Sequence, residues 1–127
     1  MKKKLILIIE DEQSLAKLVK SNLESTDKYS VVIASAGKEG LDKVKEHIPD
    51  LILLDLMLPD IPGEEVCKEI RRNPLIADIP VIMVTAKSLD VDRIIGKVVG
   101  ANYYMTKPFS SDELLQQIDK LLEGDNL

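Results

Sequence analysis

Leu51-Ile52-Leu53-Leu54-Asp55-Leu56-Met57-Leu58-Pro59 is the stretch that decides the fold. Its aliphatic run from Leu51 to Leu54 leaves no polar face. Such a run reads as a strand covered on both sides, as in a parallel sheet between layers of helices. The run ends on a carboxylate, Asp55, and Leu58-Pro59-Asp60 has the chemistry of a turn.

Similar runs lie on either side, at Leu5–Ile9, Val31–Ala34, Val81–Val84 and, shortest of all, Tyr103–Met105. Between them the apolar residues change period from continuous to 3.6. Leu15, Leu18, Val19 and Leu23 predict a first helix, and Leu41 and Val44 a second, near Gly37 and Gly40. Val66, Cys67 and Ile70 predict a third, and Ile94, Ile95, Val98 and Val99 a fourth. Leu114, Leu115, Ile118, Leu121 and Leu122 predict a fifth, over Asp112 to Glu123. Pro49, Pro74 and Gly100 stand where the second, third and fourth should stop. Ser110 or Ser111 is placed to cap the fifth, with Asp112 and Glu113 in its first turn. Strictly alternating strands and helices predict an α/β fold, (βα)5, with a doubly wound five-stranded parallel sheet and right-handed crossovers.

The chain has 127 residues, enough for one domain. The expected division is a single domain over residues 1–124 and a tail or linker stub at 125–127. Net charge is −5 and the pI is near 4.9, which argues against a nucleic-acid or anionic membrane surface. The single cysteine, Cys67, sits in an apolar stripe and reads as inert packing; a reducing compartment, the cytoplasm, is expected. Lys2–Lys4 precede an apolar run too short for a secretory core of roughly 7–15 residues, and Glu10-Asp11-Glu12 follows at once.

In open α/β sheets, ligands bind beyond the carboxyl ends of the strands. Glu10 and Asp11 follow the first run, Asp55 the third, Thr85 the fourth and Lys107 the fifth. Singly, each has a plain reading: a helix cap for Glu10, Asp11 or Thr85, a turn residue for Asp55, a solvated cation for Lys107. Together they read as chemistry. Three carboxylates in one crevice repel, and a hard divalent cation with a lysine offsets them. With a hydroxyl donor added, such a set can stabilise a phosphoryl group arriving on a nucleophilic carboxylate.

These residues resemble the receiver domain of two-component response regulators. The resemblance rests on Ile8-Ile9-Glu10-Asp11-Glu12, Leu51 through Pro59, Val84-Thr85-Ala86, Lys107-Pro108-Phe109 and the approach from Gly100-Ala101 to Tyr104, and it covers residues 4 to 123. It implies the CheY-like (flavodoxin-like) strand order 2-1-3-4-5. It implies that Asp55 is the phosphoacceptor, and that Glu10, Asp11, Asp55 and the backbone carbonyl of Met57 hold Mg²⁺, with Mn²⁺ as an alternative. Thr85 and Lys107 are then the phosphoryl-stabilising pair, Thr85 and Tyr104 the switch residues, and Lys107-Pro108 a cis peptide. Met57 and Lys87 occupy the positions that tune phosphoryl lifetime. Neither offers a carboxylate or amide to orient water, so slow self-hydrolysis is expected, with Met57→Asn changing the decay rate.

The implied function is a signalling switch that takes a phosphoryl group from a sensor histidine kinase or phosphotransfer protein. It would signal through its fourth helix, fifth strand and fifth helix to a downstream protein target or a fused output domain. It would assist its own phosphorylation and slow dephosphorylation without being a turnover enzyme. The expected state is a monomer, or a phosphorylation-dependent dimer; Gln117 stands where the DNA-binding class carries an arginine used in dimerisation. Two alternatives have different marks. A Mg²⁺-dependent aspartyl-phosphate phosphatase on the same fold would carry a second aspartate at the position of Met57. An unphosphorylated interaction module would have lost an acid, the threonine or the lysine, all of which are present.

Overall fold

The computed structural model describes residues 2–86 and 99–123. Its strands are β1 (Lys4–Ile9), β2 (Tyr29–Ala34), β3 (Leu51–Asp55), β4 (Val81–Thr85) and β5 (Tyr103–Thr106). Its helices are α1 (Gln13–Glu24), α2 (Gly37–His47), α3 (Gly63–Arg72) and a C-terminal α4 (Ser111–Glu123). The α4 label belongs to the fifth helix of the sequence reading; the expected helix at Ile94, Ile95 and Val98 lies outside the described residues, as do Lys87 and the 125–127 tail. All pairings are parallel, in the order β2-β1-β3-β4-β5.

That order explains the texture of the runs. The inner strands β3 and β4 are buried at every residue, and β1 over its last four. The edge strands β2 and β5 are only partly buried. Successive side chains of each inner strand go to opposite faces. Leu7, Ile9, Ile52, Leu54 and Met83 join the core under α2 and α3. Ile6, Ile8, Leu51, Leu53 and Ile82 join the core under α1 and α4. Each fully buried Leu or Ile contributes up to about 1.5–3 kcal/mol.

On α1 the buried residues are Ala16, Val19 and Leu23, spaced by three and four. Leu18, expected on that face, is 58% exposed. At about 100° per residue it stands roughly a third of a turn off the line through Val19 and Leu23. Helix α2 ends with Ile48 in the left-handed region (φ 46°) before Pro49, an uncommon conformation for a β-branched residue. Arg71 at the end of α3 ties down the approach to β5. Its guanidinium donates to the carbonyls of Ala77, Ile79 and Gly100 and to Asn102 Oδ1.

Strand register brings the candidate residues together. Ile9 pairs with Leu54, so Glu10 emerges beside Asp55. Asp55 pairs with Val84, next to Thr85, and Thr85 pairs with Thr106, next to Lys107.

Candidate functional site

Among the described residues, the buried polar or charged side chains are Glu10, Asp55 and Thr85. All three stand at the carboxyl edge of the inner strands. Burying a charge is costly unless it is paired, so this placement needs a compensating cation. Lys107 supplies one. Its Nζ lies 2.8 Å from Glu10 Oε1 and 3.5 Å from Asp55 Oδ2. Burial alone would lower the lysine pKa, but hydrogen bonding to Glu10 and the charges of Asp55 and Glu10 outweigh it and raise the value above 10.5. The ammonium is therefore charged at neutral pH.

One lysine does not balance the site. Glu10, Asp11 and exposed Asp11's buried neighbour Asp55 each present a carboxylate oxygen, and these oxygens lie within 4.8 Å of one another. Three carboxylates against one ammonium leave a formal excess of two negative charges, the charge of one divalent cation. The donors are all hard oxygens, the set that suits Mg²⁺, Mn²⁺ or Ca²⁺ rather than a thiolate-seeking metal. The cluster can therefore coordinate a divalent metal.

Backbone groups fix the acids. Glu10 Oε2 accepts from the Glu12 N–H at 3.0 Å, and Asp55 Oδ1 from the Met57 N–H at 3.1 Å. Glu10 thus folds back on the turn into α1, and Asp55 serves its own turn while facing the lysine. The peptide after Lys107 is cis, and the Lys107 N–H donates to the Thr85 carbonyl at 2.7 Å, carrying β5 one residue further alongside β4.

The β3–α3 loop that follows Asp55 is held at its far end by Gly63. The Gly63 N–H donates to the Leu56 carbonyl at 2.9 Å. A Cβ on Gly63 would stand 2.4 Å from the Asp55 carbonyl oxygen, so only glycine permits this approach. An open depression of about 390 Å³ runs over Asp11 and loop residues 56–62. Met57, in this loop, has a side chain that is 60% exposed. Tyr104 is half-buried against the core under α2 and α3, and Tyr103 against the other.

Sequence reasoning treated Asp60 only as a turn residue. The structure gives it more. Its carboxylate accepts from the N–H groups of Gly37 at 2.7 Å, Lys38 at 2.9 Å and Ile61 at 2.9 Å. The partners at Gly37 and Lys38 are more than twenty positions upstream, so no local signal reveals them.

The description "Response regulator receiver domain" matches residues 6–119. Among curated proteins, the chain is 44% identical over 119 residues to the alkaline phosphatase synthesis transcriptional regulatory protein PhoP of Bacillus subtilis, covering 94% of this chain and 48% of that one. It is 47% identical over 117 residues to the response regulator ArlR of Staphylococcus saprophyticus, covering 92% and 51%. The chain thus spans about half the length of these relatives. Among solved structures, a CheY-like response regulator receiver domain protein from Methanospirillum hungatei superposes with a TM-score of 0.89 at 31% identity, over 96% of this chain and 95% of that one. The chemotaxis response regulator CheY4 of Vibrio cholerae superposes with a TM-score of 0.89 at 28% identity, over 95% and 100%.

Proposed function

The chain belongs to the response regulator receiver family, and from that premise we propose that it is a cytoplasmic phosphorylation-controlled switch whose phosphoacceptor is Asp55. The observation that carries the reading is a nearly buried Asp55 set between two further acids and one lysine. An ordinary surface turn has no use for that arrangement.

In this reading an oxygen of Asp55 attacks the phosphorus of a phosphohistidine on a sensor kinase or phosphotransfer protein. The bond from phosphorus to the imidazole nitrogen breaks as the new one forms. Glu10, Asp11, Asp55 and the Met57 carbonyl would hold Mg²⁺ (or Mn²⁺), which would supply positive charge for the phosphoryl oxygens. Lys107, now closer to Glu10 than to Asp55, turns its ammonium to one of those oxygens. The Thr85 hydroxyl donates to another, and Tyr104 follows by turning inward. The phosphorylated arrangement favours one of two states of the domain, and output is that population shift. The face read by the downstream target or fused output domain includes β5 and α4. Self-dephosphorylation is slow, and the chain turns over no substrate of its own.

The test is acetyl phosphate with Mg²⁺, read by intact mass spectrometry. One labile phosphoryl adduct on the wild type is expected, absent from Asp55→Asn and from metal-free samples. Steady release of phosphate from a generic ester would instead establish the phosphatase. Failure to accept a phosphoryl group from acetyl phosphate or any phosphorylated histidine kinase would leave an interaction module.

A further inference from the structure

The start of α2 is held by two carboxylates of different origin. One is local: Glu39, in its first turn, reaches back to the Ser35 N–H at 2.6 Å and the Ser35 hydroxyl at 3.1 Å. The other comes from the loop after the phosphoacceptor. Asp60 takes the N–H groups of Gly37 and Lys38, two first-turn donors that the helix itself cannot satisfy. Those donors, Lys38 first and then Gly37, hold the Asp60 carboxyl below its usual range, so it is ionised at neutral pH.

The contact is built on both sides. A Cβ on Gly37 would stand 2.3 Å from Ile61 Cγ1, so the helix start is pared back to admit the residue after Asp60. Within the loop, Asp55 Oδ1 holds the Met57 N–H and the Leu56 carbonyl holds Gly63. Between these fixed points run residues 58–62, and the hydrogen bonds from Asp60 to α2 pin their middle. Met57 therefore lies between an anchor at Asp55 and an anchor at Asp60.

We infer that Asp60 is a positioning residue for the metal site: by tying the β3–α3 loop to the start of α2, it sets where the Met57 carbonyl stands. The inference rests on the proposed role of that carbonyl as a ligand. It has a reciprocal consequence. If the Asp60 contact favours metal binding, metal binding must tighten the Asp60 contact by the same factor. The first turn of α2 then responds to events at Asp55, although no residue of α2 is in the acidic cluster.

The experiment is an amide NMR titration of the full chain with MgCl₂. In the wild type, the Met57, Gly37 and Lys38 resonances are expected to move with one common Kd. Asp60→Ala should weaken that Kd about 10-fold, the lower end of what loss of an outer support of a metal site costs, and should silence Gly37 and Lys38. Asp60→Asn, which keeps one acceptor oxygen, should fall between and serves if the alanine variant does not fold. Glu39→Ala removes the local contact at the same helix end and should leave the Kd within about twofold, since the loop is untouched. A wild type that binds Mg²⁺ beside Asp60 variants of equal affinity overturns this inference alone. So does a Glu39→Ala variant weakened as much as Asp60→Ala, because general loosening of α2 would then explain both. A wild type whose amides ignore Mg²⁺ overturns the metal reading, and this inference with it.

Discussion

At the carboxyl end of the sheet, Lys107 faces Glu10 and Asp55, whose side chains are 7% and 5% exposed. At the amino end, Lys28 pairs with Asp119 of α4, which is 32% exposed and also accepts the hydroxyl hydrogen bond of buried Tyr29, and the charge of Glu123 acts on both Lys28 and Tyr29. Both ends join a lysine to an acid across elements distant in sequence. The charges of the amino end lie at a wet surface, where water screens them. At the carboxyl end two of the acids are buried, and with Asp11 they outnumber the one lysine. An ion pair at a wet surface adds a little stability and ties α4 to the turn before β2. Surplus acid at a buried edge binds what restores neutrality. The difference separates the end that holds the fold from the end that performs chemistry.

The sharpest way to break this contrast is to remove each lysine. In metal-free buffer, Lys107→Met is expected to lower unfolding free energy by about 2–4 kcal/mol, because it strands buried carboxylates. Lys28→Ala is expected to cost less than about 1 kcal/mol. Urea denaturation of the two variants measures both, and equal losses would show that burial does not distinguish the ends. The next largest effect is metal addition. Mg²⁺ at about 100 times its Kd should add about 2.7 kcal/mol to the wild type, reversed by chelation. Asp119→Asn should keep that gain in full, since it touches only the amino end.

A smaller effect than that of metal is expected at Tyr29. Tyr29→Phe should cost about 1 kcal/mol for one buried hydrogen bond. Burial first, and the bond to Asp119 second, raise the tyrosine pKa above its ordinary 10.0. The folded chain thus keeps a proton that the unfolded chain releases. The contribution is whole below pH 10.0 and is lost as pH rises beyond it. Wild-type stability should fall more steeply above that pH than that of Tyr29→Phe. Parallel curves would mean the hydroxyl is not coupled to folding.

Much of the site was legible because its residues sit next to strong local signals. Asp55 closes an aliphatic run, and Glu10 and Asp11 close another. A run buried on both faces announces an inner strand, and the residue after it must stand at the sheet's edge. The stops also read correctly: α2 gives way to Pro49, and Ser110 caps α4 by accepting the Glu113 N–H at 3.0 Å. Leu18 was misread because a leucine near an apolar stripe looks like part of it; its exposure depends on which arc of α1 meets the sheet. Asp60 was read only as a turn because its partners belong to another helix. Arg71 carries no local signal of its role for the same reason: Gly100 and Asn102 lie about thirty positions downstream.

By itself the sequence determined the alternation of strands and helices, the inner strands, and the identity of the groups at their carboxyl ends. Periodicity and capping are local properties, carried by residues within a turn or two of each other. Only the tertiary structure decided that Lys107 closes on Glu10 at 2.8 Å while standing 3.5 Å from Asp55. It alone seated Asp60 on α2 and Tyr29 on Asp119. These contacts join residues far apart in the chain, and strand order and register set them. Their geometry is settled only when the two faces of the sheet are packed, and at Glu10, Asp55 and Tyr29 burial then also removes water as an alternative partner.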